Sequence, residues 1–245
     1  MFHGIYKEEG KMGLRKSTGN MYDWVDAHWN PIKGECQHRC DYCYVDHSRA
    51  KRFYEGPCRL DEKDLETKLS IGQRPFPKTI FVGSMGDMWG EWVPDKFIER
   101  VIAVCLKYPA NQYIFQSKNP ARFRQYKPQV NFLYGTTLET DEYPKGFNTN
   151  GPITARSINA RVAPFKNFSP LRRIFITIEP IMDFNLFEFV EMIRKLHPEF
   201  VTIGADSKHH NLIEPSWQKV QALIETLGNL DIEIRQKTNL ERLRK

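Results

Sequence analysis

The sequence has no apolar run approaching the roughly 18 residues that a membrane-spanning helix needs. Its first residues, MFHGIYKEEGKMG, are polar and lack the apolar core of a signal peptide. We therefore expect a cytoplasmic protein with no membrane partner. Disorder is also excluded, because 40% of the 245 residues are hydrophobic and 13% are aromatic. With no internal repeat and no linker, we predict one domain spanning residues 1–245, with an N-terminal arm at 1–20 and a basic tail at 236–245.

Charge of one sign is not strongly in excess. The 36 Lys and Arg residues stand against 30 Asp and Glu, which gives a net charge of +6. This balance favours an anionic partner such as a nucleotide, a nucleic acid or a phosphorylated substrate. The basic residues that suit such a partner are Arg122, Arg124, Lys127, Arg172, Arg173 and those of the tail.

Cysteine is scarce, and five is an odd count, which argues against a disulfide framework. Three of the five stand in the spacing C-x3-C-x2-C within the segment NPIKGECQHRCDYCYVDH, namely Cys36, Cys40 and Cys43. Three thiolates in one short loop can bind one face of a [4Fe–4S] cluster and leave one iron open for chemistry. Tyr42 is expected to pack beside such a cluster and to limit water access.

Two simpler interpretations of the cysteine loop stay open. A structural zinc ion would take the three thiolates together with His38, His47 or His28. Zinc modules usually draw their ligands from two separated pairs, whereas these thiols share one loop. The thiols would otherwise be inert and buried. Cys105 falls on the apolar stripe of a predicted helix, so we expect it in the core.

Short apolar runs alternate with helical patterns along the chain. The predicted strands are residues 22–29, 79–83, 112–116, 131–137, 173–178 and 200–204, with a weak one at 231–235. The main predicted helices are residues 94–107, 157–165, 186–196 and 215–227. This alternation predicts an α/β fold with parallel strands, which we interpret as a partial (β/α)6 barrel. A flat doubly wound sheet is the alternative.

Polar side chains follow each predicted strand. In β/α barrels the working face lies at the carboxyl ends of the strands. The residues concerned are Ser84, Asp87, Ser117, Lys118, Thr136, Thr137, Glu139, Glu179, Asp206, Ser207, His209 and His210. A strand end is often polar only because it meets solvent. Six such ends on one rim, beside a cysteine loop, favour a ligand pocket.

The cysteine spacing, with an aromatic residue before the last cysteine, resembles the cluster loop of the radical S-adenosylmethionine (SAM) enzymes. The segments GSMGDMWGEWVPDKF, YIFQSKNPARF, GTTLETD, ITIEPI and IGADS follow in the order of the Gp37/Gp68-like family. That family comprises small, often phage-borne proteins grouped with these enzymes. The Gly-Gly-Glu form common in the wider superfamily is absent after the second strand.

The resemblance implies a fold of the radical SAM type, with a [4Fe–4S] cluster on Cys36, Cys40 and Cys43 and with SAM bound at the open iron. It also implies an external electron donor of the flavodoxin or ferredoxin type. The implied cofactor-binding residues are Tyr42, Ser84, Met85, Gly86, Asp87, Ser117, Thr136, Thr137 and Glu139. Arg161 would clamp the SAM carboxylate, or else would be a surface arginine.

We therefore predict a radical SAM enzyme that forms a 5′-deoxyadenosyl radical and abstracts hydrogen from its substrate. A nucleotide or a DNA base is the predicted substrate. The candidate substrate-side residues are Tyr44, Lys118, Glu179, Asp206 and His209, of which Lys118, Glu179 and Asp206 are predicted to be catalytic. The alternatives are a small-metabolite radical SAM mutase or synthase, and a zinc- or cluster-stabilised nucleic-acid-binding module without catalysis.

Overall fold

The computed structural model describes residues 13–19, 21–70, 78–144, 157–168 and 170–244. The strands are β1 (Arg15–Lys16), β2 (Ala27–Trp29), β3 (Ile32–Lys33), β4 (Arg59–Leu60), β5 (Thr79–Val82), β6 (Gln112–Gln116), β7 (Phe132–Thr137), β8 (Arg173–Ile178), β9 (Phe200–Ile203) and β10 (Glu233–Gln236). The α-helices are α1 (Glu62–Leu65), α2 (Asp95–Leu106), α3 (Ile158–Val162), α4 (Leu186–Arg194) and α5 (Trp217–Gly228). Short 3-10 helices cover Tyr44–His47, Lys51–Phe53, Pro120–Gln125, Ala163–Asn167 and Thr238–Arg244.

One sheet of eight strands, in the order β1-β2-β5-β6-β7-β8-β9-β10, carries the fold. All neighbours from β2 to β10 pair in parallel, and β1 pairs with β2 in the antiparallel sense. β3 and β4 form a separate two-stranded antiparallel sheet. The strand order follows the chain order, so right-handed crossovers place the helices on one face. The described sheet ends at β1 and β10, as expected for a partial barrel.

Three of the helices begin directly after a residue whose side chain caps their first turn. Ser157, Asn185 and Ser216 each accept a hydrogen bond from the backbone N–H three residues later, at the starts of α3, α4 and α5. α2 follows Pro94 and buries Ile98, Val101 and Val104 against the sheet, together with Cys105, whose predicted core position is confirmed. No helix in the described ranges combines the length and apolarity needed to cross a bilayer.

Side chains alternate between the two faces of the sheet, as the pleat requires. Residues such as Ile80, Phe115 and Ile176 pack with the helices in one large core. The intervening residues pack on the opposite face with Tyr22 and Val25 in a second cluster, namely Phe81, Ile114, Leu133, Phe175 and Phe200. Because no residue of this second cluster comes from a helix, it fills the concave face of the sheet.

Nearer the carboxyl ends of the strands, the concave face becomes polar. Tyr22 OH donates to Gln116 Oε1 at 3.1 Å and to Thr177 Oγ1 at 3.3 Å. Gln116 Nε2 in turn donates to Thr137 Oγ1 at 2.9 Å. Burial raises the pKa of Tyr22, so Tyr22 keeps its proton for these bonds. The polar layer lies between the apolar cluster and the rim of the sheet.

The ends of the chain differ most from the sequence prediction. The first strand spans only Ala27–Trp29, because residues 21–25 instead place Tyr22, Trp24 and Val25 against the concave face. The predicted weak strand is β10, a full parallel partner of β9, which makes seven parallel strands in place of six.

The segment predicted as a basic tail is a folded part of the domain. It forms β10 and a 3-10 helix, in which Leu240 is 1% exposed. Asn239 binds the backbone of Ala205 through both amide atoms. Within the predicted arm at residues 1–20, β1 belongs to the sheet, and residues 1–12 and 20 lie outside the described ranges.

The close packing of the concave face yields a test of this fold. A Cβ on Gly135, in the middle of β7, would lie 2.3 Å from the ring of Phe175. We expect Gly135→Ala to lower the free energy of unfolding by about 1–3 kcal/mol, because overpacking displaces neighbouring strands. Denaturant unfolding measures this loss. Gly228→Ala is the matched control, since nothing lies within 4 Å of its Cβ position; equal effects of the two changes would contradict the described packing.

Candidate functional site

The cysteine loop begins and ends at the short sheet of β3 and β4, which brackets residues 34–58. Gly34 has a φ of 109°, and a Cβ there would lie 2.6 Å from Pro57 O. Only glycine therefore lets the two ends of the loop come so close. β2 ends just before β3, so the loop lies at the carboxyl end of the parallel sheet. Four free, partly exposed thiols lie on it, those of Cys36, Cys40 and Cys43 and, at its end, that of Cys58.

Asp87, in the loop after β5, connects the cysteine loop to the sheet through hydrogen bonds. His38 Nε2 lies 2.7 Å from Asp87 Oδ2, and Ser117 Oγ and Lys118 N donate to the same oxygen at 2.8 and 2.9 Å. Trp89 N donates to Oδ1 at 2.9 Å. Burial alone would raise the pKa of Asp87, but the hydrogen bonds from His38, Ser117 and Trp89 lower it below its usual range. Asp87 is thus a carboxylate that joins three loops.

Lys118, which follows β6, makes a second link to the cysteine loop. Its Nζ donates to Cys40 Sγ at 3.0 Å, to Glu139 Oε1 at 2.9 Å and to Tyr42 OH. The ammonium also lies 4.5 Å from the centroid of the Tyr42 ring. Burial lowers the pKa of Lys118, while Cys40 acts in the opposite direction. A buried ammonium therefore contacts a thiol of the loop directly.

Glu139, after β7, lies between two cations. Its Oε1 accepts from Lys118, and its Oε2 accepts from Arg161 Nη1 at 2.8 Å and from Tyr143 OH at 2.7 Å. The side chains of Glu139 and Arg161 are both 0% exposed, so the alternative of a surface arginine is wrong. Burial acts to lower the pKa of Arg161, but Glu139 and Tyr143 raise it above its usual value. Lys118, Glu139 and Arg161 together leave one positive charge beside Cys40.

The remaining predicted cofactor residues surround this network. Asn30 Oδ1 accepts from Met85 N at 2.9 Å and from Ser84 Oγ at 3.3 Å, and Tyr44 OH donates to Ser84 O. A Cβ on Gly86 would meet nothing within 4 Å, so the space beside it is open.

Two threonines at the end of β7 are buried in the rim. Thr136 Oγ1 donates to Ser117 O at 2.7 Å, and Thr137 Oγ1 accepts from Gln116. The predicted cofactor-binding roles of Thr136, Thr137 and Glu139, and of Arg161 on the SAM carboxylate, stay predictions, since the structure holds no ligand.

Glu179 and Asp206 have partners in the C-terminal half of the chain. Glu179 accepts from Lys237 Nζ at 2.8 Å, and Asp206 Oδ1 lies 2.7 Å from His210 Nδ1. The structure therefore joins Lys118 to Cys40 and Glu139, and it binds the other two predicted catalytic carboxylates to different groups.

Three of the basic residues selected from the sequence, Arg122, Arg172 and Arg173, are bound to groups outside this site. Arg122 donates to Gly90 O and Val93 O and pairs with Asp95. Arg172 donates to the backbone of Tyr126. Arg173 begins β8 and pairs with Glu199 at 2.7 Å. Arg172 and Arg173 therefore lie at the amino end of β8, opposite the cysteine loop, and not on the rim that carries the predicted site.

Three site residues were missed in the sequence. Asn30 directly follows β2, so the strand-end rule that selected the other residues also applies to it. Tyr143 lies four residues after Glu139 but carries no motif. Lys237 stands in the segment interpreted as a tail, and only the pairing of β10 with β9 reveals its position beside Glu179.

The donor set was tested against both metal interpretations. Among the described residues, no group of three or more His, Cys, Asp or Glu side chains lies close enough to hold a single metal ion. His38 Nε2 already bonds to Asp87. In a cubane each thiolate binds a different iron, so the thiols need not converge on one point. Burial raises the pKa of Cys36 and of Cys43, and a bound metal would deprotonate them. The residues therefore fit a cluster better than a zinc ion.

The chain shares its fold with solved structures of spore photoproduct lyase. One variant has a TM-score of 0.60 at 10% identity, covering 90% of this chain and 80% of that chain. A second, with bound AdoMet and a dinucleoside spore photoproduct, has a TM-score of 0.53 at 12% identity, covering 85% of this chain and 63% of that chain. Such identities establish the fold. Because spore photoproduct lyase is a radical SAM enzyme, the predicted fold class is confirmed.

The chain belongs to the family described as "Protein of unknown function (DUF5131)", whose match covers residues 20–225. No curated protein matches the sequence. The resemblance to the Gp37/Gp68-like family stays a prediction.

The buried charges yield a test of the site's geometry. Glu139→Gln leaves Lys118 and Arg161 buried without their carboxylate, so we expect a loss of about 3 kcal/mol in the free energy of unfolding. Denaturant titration measures this loss. The control is Glu199→Gln, because Glu199 pairs with Arg173 at the surface, where a pair contributes less than about 1 kcal/mol. Similar losses in the two variants would contradict the buried network.

Proposed function

We propose that this protein is a radical SAM enzyme whose substrate is a nucleotide or a base in nucleic acid. The observation that carries the proposal is the position of three free thiols at the carboxyl end of a parallel sheet with a radical SAM fold. When bound, a [4Fe–4S] cluster would supply the electron that splits SAM into methionine and a 5′-deoxyadenosyl radical. Cys36, Cys40 and Cys43 would hold it.

Lys118 compensates the charge of this centre. Three thiolates outweigh the double positive charge of an oxidised cubane by one, and the Lys118, Glu139 and Arg161 side chains together carry one positive charge. The ammonium donates directly to Cys40 Sγ. Hydrogen bonds to cluster sulfurs and nearby charge both raise a cluster's reduction potential.

The rest of the network orients the loop and excludes water. Both carboxylate oxygens of Asp87 accept hydrogen bonds, from four donors in all. We therefore infer that Asp87 positions the cysteine loop and does not bind the SAM amino group. Tyr42 packs over Lys118 and shields the site. The proposed SAM pocket includes the open space beside Gly86, next to Ser84 and Met85. Thr136 and Thr137, at the end of β7, are further proposed SAM contacts.

The substrate class rests on two observations. The chain carries a net charge of +6, and one structure of similar fold holds a dinucleoside spore photoproduct. Within that class, Glu179 is the proposed substrate-side carboxylate on the part of the rim formed by β8 and β9, whereas Asp206 is bound by its own loop. An external donor of the flavodoxin or ferredoxin type would supply the electron.

Metal content tests the proposed centre. After anaerobic reconstitution, each chain should hold about four irons and four sulfides. Cys36→Ala, Cys40→Ala and Cys43→Ala should each abolish the brown colour, whereas Cys105→Ala, in the core of α2, should keep it. Adding SAM should alter the electron paramagnetic resonance spectrum of the reduced protein. Stoichiometric zinc with little iron would refute the proposal.

The contact from Lys118 to Cys40 yields a second test. Lys118→Met removes a charged hydrogen bond worth about 1.5 kcal/mol, which corresponds to about 60 mV for a one-electron couple. We expect the reduction potential of the reconstituted protein to fall by about that amount in a spectroelectrochemical titration. Lys219→Met, at a surface pair with Asp183, is the control and should leave the potential unchanged. An unchanged potential in Lys118→Met would contradict the proposed role.

A further inference from the structure

A rigid histidine stands on the rim, in the loop after β9. Asp206 Oδ1 lies 2.7 Å from His210 Nδ1 and accepts from Lys208 N at 3.1 Å, and Oδ2 accepts from His210 N. Burial alone would raise the pKa of Asp206, but the bonds from His210 and Lys208 lower it below its usual value. Asp206 is therefore a carboxylate, and it bonds to the imidazole at Nδ1 and to two backbone N–H groups of the same loop.

The other ring nitrogen of His210 has no partner. Nε2 is buried and makes no hydrogen bond, and the side chain is 9% exposed. Buried polar atoms in folded proteins nearly always have a partner, so an unsatisfied one needs an explanation. Because Nδ1 is committed to Asp206, only Nε2 remains for an added ligand.

The surroundings of His210 connect it to the cysteine loop. The ring of His47, four residues after Cys43, lies with its centroid 5.2 Å from that of His210. His47 itself is exposed. The 3-10 helix that follows the cysteines and the loop after β9 thus meet at these two imidazoles.

Three exposed cations lie close to these two histidines in the sequence, while the exposed carboxylate next to His47, that of Asp46, is paired with Lys51 at 3.0 Å. Arg49 and Arg52 lie within five residues of His47, and Lys208 precedes His210 by two residues. Within the described part of the chain, none of these three side chains forms an ion pair. The carboxylate of Asp206 accepts its hydrogen bonds from Lys208 and His210 of its own loop. The kind of ligand that two imidazoles among unpaired cations would bind is an anion with several acceptor oxygens.

We propose that His210 and His47 form a binding site for a phosphate group of the substrate, in which His210 is protonated on both ring nitrogens and donates from Nδ1 to Asp206 and from Nε2 to a phosphate oxygen. This inference rests on the proposed function, since it names the part of a nucleotide or nucleic acid that the rim holds. Arg49, Arg52 and Lys208 supply the surrounding positive potential. Binding of the phosphate holds the substrate on the same rim as the cysteine loop. The base is then free to extend toward the reacting centre.

Binding titrations with the reconstituted full chain test the site. The probes are a short fluorescent single-stranded oligonucleotide, the same strand with uncharged methylphosphonate links, and a nucleoside with and without its 5′-phosphate. His210→Gln should weaken binding of the charged strand about tenfold. It should also make the log–log salt slope shallower by about 0.7, as one phosphate contact is lost. His47→Gln, at an exposed position, should act in the same direction.

His197→Gln is the matched control, because His197 is an exposed histidine just before β9, at the opposite end of the strand. It should change neither affinity nor slope. The methylphosphonate strand should bind weakly to every variant. If the nucleoside 5′-phosphate competes in a His210-dependent manner, the phosphate belongs to a free nucleotide; if only the strand responds, it belongs to a polynucleotide.

The inference is overturned if His210→Gln and His47→Gln both bind the charged strand with the affinity and slope of His197→Gln, or if no phosphate-bearing probe binds at low salt. Failure of the proposed function has a different signature. In that case the wild-type protein would take up zinc or little iron on reconstitution, whatever its affinity for phosphate.

Discussion

The contact between the Lys118 ammonium and Cys40 Sγ connects the cysteine loop to the buried charges of the sheet. Two cations flank one carboxylate there, with Glu139 and Arg161 fully buried. Burying charge is costly unless each group is paired, so the ends of β6 and β7 must hold Lys118 and Glu139 in place, and α3 must hold Arg161. The positive charge that remains lies where three thiolates and a cluster would bring negative charge. The electrostatics of the site are therefore set by the ends of β6 and β7 together with α3.

Much of the fold is predictable because parallel strands are apolar on both faces and helices carry apolar stripes. The strands at 79–82, 112–116 and 173–178 were predicted within one residue of their observed ends. The predictions failed where tertiary contacts override composition. Lys237 and its basic neighbours resemble a solvated tail, yet Glu179 and the backbone of Ala205 bind that segment to the rim.

The sequence selected residues that the structure brings close together, but it did not indicate which of them are bonded to one another. The cysteine spacing and the polar strand ends selected Asp87, Lys118 and Glu139 without any structure. No pattern in the sequence indicates that Glu139 binds Arg161, which lies 22 residues later on α3. Nor does it indicate that Arg172 and Arg173 lie at the amino end of β8, away from the site, because net charge does not tell where in the structure the charged residues lie. Which side chains bond to one another depends on which strand ends are neighbours. That is decided by the pairing of the strands in the folded sheet.

The proposed function requires the cysteine loop to serve radical chemistry on SAM. Release of 5′-deoxyadenosine from SAM by the reconstituted wild-type protein, followed without oxygen in the presence of dithionite, tests this requirement. We expect slow release even without substrate, dependent on Cys36, Cys40 and Cys43 and retained in Cys105→Ala. A protein that holds a full cluster and yet leaves SAM intact would contradict it.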